Sequence, residues 1–132
     1  PEPTSITDSY SLLKVLRRKN SFNPLYKTIH VVANRVENEN EGAEIFNKID
    51  TVSSKFLNTK LSFLGAVLQD KNASMAVIEQ KPLIQAYPGA AATKGIHQLV
   101  TRLNDEQTAE YKKKEGIARV FIDFFRSRKR IR

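Results

Sequence analysis

The apolar positions divide the chain into seven segments whose period switches between helical and extended. Residues 5–19 carry Ile6, Leu13 and Leu16 at helical spacing, widened by Leu12 and Val15. They end on Arg17-Arg18-Lys19, which suits the negative end of a helix dipole. Thr4 and Ser5 are the expected N-caps, with Ser5-Ile6-Thr7-Asp8 in the spacing of a capping box. After a break over 20–24, residues 28–36 run apolar and β-branched with almost no alternation, which predicts a central strand buried on both faces. The acidic, polar run 37–42 follows as a loop. Residues 43–57 then set Ile45, Ile49, Val52 and Phe56 on one helical face.

Residues 61–68 read as a second buried strand, closed by Gln69-Asp70-Lys71-Asn72. A short helix over 73–80 stops at Lys81-Pro82, and Tyr87-Pro88-Gly89 forms a turn. A helix over 91–103 gathers Ile96, Leu99, Val100 and Leu103, and a separate tail helix covers 115–131. Strands alternating with crossover helices imply an α/β fold with parallel, right-handed connections. The first strand delivers Asn34 and Arg35 to its C-terminal edge, where parallel sheets bind ligands. Two strands make only a partial doubly wound sheet and leave long edges unpaired. The expectation is therefore a piece of a larger molecule, in some self-associated form.

Charge sharpens this division. Of the net +8, residues 111–132 hold nine basic side chains against Glu115 and Asp123, or +7, so the rest of the 132-residue chain is nearly neutral. The organisation expected is a body over 1–104 and a basic amphipathic tail helix over 105–132. In the tail, Ile117, Val120, Phe121, Phe124 and Phe125 fall on one helical face, whereas Arg126, Lys129 and Arg130 lie on the other. Basic residues opposite exposed Phe make the composition of a helix lying on an anionic membrane surface. Packing of the same face onto the protein's own sheet, or onto a partner helix, stays open. Nucleic acid ranks below these readings, because the cations are confined to the tail and no stacking aromatics interleave with them in a body groove.

Absent residue types narrow the chemistry further. Without cysteine there are no disulfides or thiolate metal sites, which suits a reducing cytoplasm. No apolar run approaches the roughly 20 residues of a membrane span. The opening Pro1-Glu2-Pro3-Thr4 is not a signal peptide, and with no initiator Met the natural chain is expected to begin upstream. His30 and His97 lie on apolar faces and read as core or boundary residues, not metal ligands. No Ser/His/Asp set or carboxylate pair has catalytic spacing.

One ordered series of residues goes beyond pattern. Pro1-Glu2-Pro3-Thr4-Ser5-Ile6-Thr7-Asp8-Ser9-Tyr10, then Val31-Val32-Ala33-Asn34-Arg35-Val36, Glu41-Gly42, and Phe63-Leu64-Gly65-Ala66 followed by Asp70 resemble the C-terminal half of the MinD/ParA-type deviant P-loop ATPases. The Pro-Glu-Pro-Thr-Ser-Ile-Thr-Asp opening and Gln85-Ala86-Tyr87-Pro88 favour the FlhG (FleN, YlxH) branch, which regulates flagellar number and placement. The resemblance covers about residues 1–103 and implies the C-terminal half of a P-loop NTPase fold. It makes Asn34 the side chain that hydrogen-bonds the adenine edge, with Arg35 near base or ribose. Gln69 and Asp70 would form the loop against the base, although the family's Pro-x-Asp is here Leu68-Gln69-Asp70. Glu2 would lie near the nucleotide and the dimer interface.

The Gly-rich loop, its lysine and the switch acids of the family have no counterpart in this chain, so it is expected not to hydrolyse ATP by itself. ATP or ADP with magnesium would belong to the intact parent, and none is expected on this chain alone. The implied partners are the inner, cytoplasmic membrane surface, an FlhF-type GTPase, flagellar switch proteins and, in some relatives, a transcription activator. A ParA-like DNA-partitioning fragment and a non-enzymatic binding module remain the competing readings.

Overall fold

A computed structural model of the protein describes residues 2–18 and 28–128, with only the backbone described over 110–115 and 117–128. The chain divides into two units, Pro1–Leu99 and Val100–Arg132. The first holds a small parallel sheet and its helices; the described residues of the second are helical.

Helix α1 (Pro3–Arg18) begins earlier than a cap at Thr4 or Ser5 predicts. Pro3 stands in the first turn, where its missing N–H is no loss, and the Ser5 N–H donates to the Glu2 carbonyl at 3.0 Å. The hydroxyls of Thr7, Ser9 and Ser11 donate back to carbonyls four residues earlier, so they serve the helix interior and not its cap. Leu13 is buried, but Leu12 and Val15 are 60% and 54% exposed, so the apolar stripe is narrow. Arg17 Nε donates to the Leu57 carbonyl at 2.8 Å, satisfying an acceptor at the far end of the next helix.

Strand β1 (His30–Val36) and strand β2 (Ser62–Leu68) pair in parallel and form the whole sheet among the described residues. The pairing slips by one residue between Val31 and Val32 and slips back between Asn34 and Val36. Two bulges accommodate this, one at Leu64–Gly65, where Gly65 has φ 148°, and one at Arg35, where φ is 59°. The expectation that β1 is central and buried on both faces is corrected. Ala33 and Val36 are buried, yet Val32 and Asn34 are exposed, because α2 covers the face that Ala33 presents and Val32 and Asn34 alternate to the opposite one.

Helix α2 (Glu39–Leu57) makes the crossover, and it too starts before the predicted position. Asn38 caps it by accepting from the Glu41 N–H at 3.0 Å, while the Glu41 carboxylate accepts from the Glu37 N–H at 2.6 Å. This reciprocal pair turns most of the expected acidic loop into the first helical turn. The buried face is also rotated from the predicted one: Gly42, Ile49 and Ser53 are buried, whereas Val52 is 38% and Phe56 65% exposed. The cause is close approach. A Cβ on Gly42 would lie 2.9 Å from Ala66 Cβ and 3.4 Å from Ala33 Cβ, so α2 rests on the sheet through its smallest residue. Leu13, Ile49 and Leu61 form the core cluster, flanked by Ile29, Val31, Phe46 and Leu57. The Phe46 and Phe63 rings stack at 5.0 Å.

Beyond β2 come α3 (Lys71–Ile78), the four-residue α4 (Leu83–Ala86), which the sequence pattern misses, and α5 (Ala91–Arg128). The buried Thr93 hydroxyl donates to the Tyr87 carbonyl at 2.8 Å and fastens the predicted turn to α5. Gly95 lets α5 approach β2, its notional Cβ 3.2 Å from the Ala66 carbonyl oxygen. His30 is half-buried, whereas His97, expected on a core or boundary face, is exposed because α5 buries Ala92, Thr93 and Gly95 instead. Where the sequence suggests separate helices over 91–103 and 115–131, α5 runs without interruption.

Candidate functional site at the strand ends

The edge of β1 away from β2, together with residues of α1 and α2, forms a cleft of about 760 Å³, within the range of small-molecule sites. Val32 and Ala33 supply apolar floor, and Asn34 and Arg35 stand at its C-terminal end. Ser5, Ile6 and Ser9 line it from α1, Glu2 from just before that helix, and Gln69 from just past β2. Four of the five residues singled out for the nucleotide, Glu2, Asn34, Arg35 and Gln69, therefore converge although they are spread along the chain.

Asn34 is exposed, and its carboxamide can offer a donor and an acceptor together. Arg35 is the bulged residue of β1 in left-handed backbone, a conformation that is unfavourable by roughly 1–2 kcal/mol for a residue with a Cβ. The bulge turns its side chain across the strand ends, where Nε donates to Gln69 Oε1 at 3.0 Å. Gln69 is itself anchored, since its N–H donates to the Val36 carbonyl at 2.8 Å. Such outliers cluster where a backbone is held for function.

Asp70 is the exception: it does not line the cleft. Its carboxylate accepts from the N–H groups of Asn72 at 2.9 Å and Ala92 at 3.1 Å, capping α3 and α5 together. The Asn72 and Ala92 bonds, in that order, hold its carboxyl below the usual range, against a smaller opposing effect of desolvation. Ser5, Ser9 and Glu37 are cleft residues that pattern reading passes over. Glu2, Ser5 and Ser9 do recur at the spacing of one α1 face, a signal that the capping interpretation obscures.

The cleft's ionisable lining among the described residues is Arg35 against the carboxylates of Glu2 and Glu37. Among the described residues no three His, Cys, Asp or Glu side chains are grouped to hold a metal ion. The arrangement can read hydrogen-bonding edges and cover a flat apolar surface. Arg35 is the one cation among the described lining residues, which is not a set for a polyphosphate.

Over 92 residues the chain is 34% identical to the Antiactivator FleN of Pseudomonas aeruginosa, a match that covers 70% of this chain. The chain is a FlhG/MinD-like relative. The match covers 31% of the Pseudomonas protein, so this MinD-like chain corresponds to less than a third of the curated relative. No protein-family model matches it. The α/β architecture, with its small parallel sheet and C-terminal helix, is that of a partial P-loop NTPase-like fold. Within this MinD-like frame, no helix among the described residues is long and apolar enough to cross a membrane. The tail residues Ile117, Val120, Phe121, Phe124, Phe125 and Arg126 have no described side chains, and Lys129 and Arg130 lie outside the described residues.

Proposed function

We propose that the chain supplies the nucleoside-binding part of an ATP-switched regulator of flagellar number and placement. The single observation behind this reading is the convergence of Glu2, Asn34, Arg35 and Gln69 on one cleft at the C-terminal ends of parallel strands. Asn34 would pair with the adenine edge, donating through its NH2 and accepting through its carbonyl oxygen. Val32 and Ile6 would cover the base, and Arg35 would stand beside base or ribose with its orientation fixed by Gln69. With two carboxylates and one guanidinium among the cleft's described lining residues, the triphosphate and its magnesium ion would be held by groups outside this set. Hydrolysis would then belong to the longer protein.

Calorimetric titration with ATP and with adenosine tests the reading. Although the missing phosphate loop led to the expectation of no nucleotide on this chain alone, the cleft should bind both through the nucleoside. Asn34→Ala should weaken both by about tenfold or more, and neither protein should release phosphate. Binding that ignores Asn34, or turnover by the unaltered chain, would overturn it.

The tail carries the second half of the proposal, reversible association with the anionic inner face of the cell membrane when the protein self-associates around nucleotide. In its support, the backbone is helical through Arg128, so the periodicity of Ile117, Val120, Phe121, Phe124 and Phe125 describes one face of a real helix. An FlhF-type GTPase and flagellar switch proteins are the partners expected of such a regulator. Cosedimentation with phosphatidylglycerol vesicles at about 150 mM salt should exceed retention on duplex DNA. The reverse ranking would favour a DNA-partitioning role.

A further inference from the structure

We infer that Asp70 is a positioning residue that ties one wall of the cleft to the root of α5. Both of its carboxylate oxygens are committed: Oδ1 accepts from the Asn72 N–H in the first turn of α3, and Oδ2 from the Ala92 N–H in the first turn of α5. Its neighbour Gln69 faces the cleft, bonded through its N–H to the Val36 carbonyl and through Oε1 to Arg35 Nε. Gln69 and Asp70 are the whole connection between Leu68, the last residue of β2, and Lys71, the first of α3. That connection is two residues long, and both residues are held by hydrogen bonds. A shift of the Asp70 carboxylate toward or away from α5 moves Gln69, and Gln69 holds the Arg35 guanidinium. The contacts Arg35–Gln69–Asp70–Ala92 thus run unbroken from the cleft to the start of α5.

By linkage, whatever firms one end firms the other. The effect on ligand affinity rests on the nucleotide reading above; the mechanical coupling does not. Asp70→Asn separates the two, because a carboxamide has one accepting oxygen and its NH2 must face one of the two backbone donors.

The test is amide hydrogen exchange by NMR on the 132-residue chain and its Asp70→Asn and Gln69→Ala variants. In Asp70→Asn the amides of Ala92 and Gln69 should both exchange about tenfold faster, the size expected for a lost cap. Gln69→Ala, which leaves the caps intact, should speed exchange at Ala92. ATP affinity should fall roughly three- to tenfold in Asp70→Asn, with no further fall when Asp70→Asn is added to Gln69→Ala. An unchanged Gln69 amide in Asp70→Asn overturns the coupling, whatever the chain binds. If that variant does not fold, an unchanged Ala92 amide in Gln69→Ala overturns it. Coupled exchange in a chain that binds no ATP sustains the coupling and overturns the nucleotide reading.

Discussion

Replacing Gly42 by alanine tests how closely α2 lies on the sheet. The added methyl would sit 2.9 Å from Ala66 Cβ, 3.4 Å from Ala33 Cβ and 3.6 Å from the Phe63 ring. Carbon atoms in contact prefer about 3.5–4.0 Å, so the helix or strand must shift by over half an ångström. Ala66 Cβ is fixed to backbone and has no rotamer to change. Overpacking of this kind costs about 1–3 kcal/mol. Alanine in a helix regains up to about 1 kcal/mol over glycine, and less here because position 42 lies near the helix start. The net expectation is a loss of about 1–2 kcal/mol, or several degrees in Tm, read by urea and thermal unfolding at 222 nm. Ala66→Gly removes the opposing methyl, so Gly42→Ala should cost much less in that background, with a coupling of about 1 kcal/mol or more. A Gly42→Ala chain as stable as its parent, or equal effects in both backgrounds, would refute the close approach.

Three further outcomes follow from the same geometry. Ile49→Ala should destabilise by about 2–5 kcal/mol, whereas Phe56→Ala on the same helix should change stability by no more than about 0.5 kcal/mol, a contrast read by denaturant titration. Asn34→Asp replaces a donor with a second acceptor, so adenosine binding measured by calorimetry should weaken by about tenfold or more without loss of fold. Because the folded state holds the Asp70 carboxyl below its ordinary range, its contribution is present above about pH 4 and is lost as pH falls further. Acid unfolding of Asp70→Asn should therefore be shallower than that of the parent in this range.

The parallel pair, the crossover and the turn at Tyr87-Pro88-Gly89 are legible in the sequence because each rests on local period or punctuation. Docking is less legible. Periodicity weights large side chains and therefore selects Val52 and Phe56, but α2 settles through Gly42 and Ser53 because Ala33 and Ala66 leave room for a near approach. An apolar run such as 28–36 declares that it needs cover without saying what provides it, and so Val32 reads as core while standing in a cleft. The polar stretch 104–115 reads as a break, yet it contains neither Gly nor Pro and is rich in helix formers. Within the site, the resemblance assembles Glu2, Asn34, Arg35 and Gln69. No local signal marks Ala92 as a donor to Asp70, because that bond closes 22 residues of chain.

The two bulges bear on which length changes this fold can absorb. Leu64–Gly65 adds a residue to β2 and Arg35 adds one to β1, so the lag opened by the first is cancelled by the second. Each is a one-residue insertion that its strand absorbs locally, without disturbing the pairs on either side. Deleting Leu64 alone would straighten β2 and leave Ala66 opposite Ala33, and deleting Arg35 alone would straighten β1 and leave Val36 opposite Leu68. Removing both would give two straight strands in step, and would take with them the bent backbone that carries the arginine.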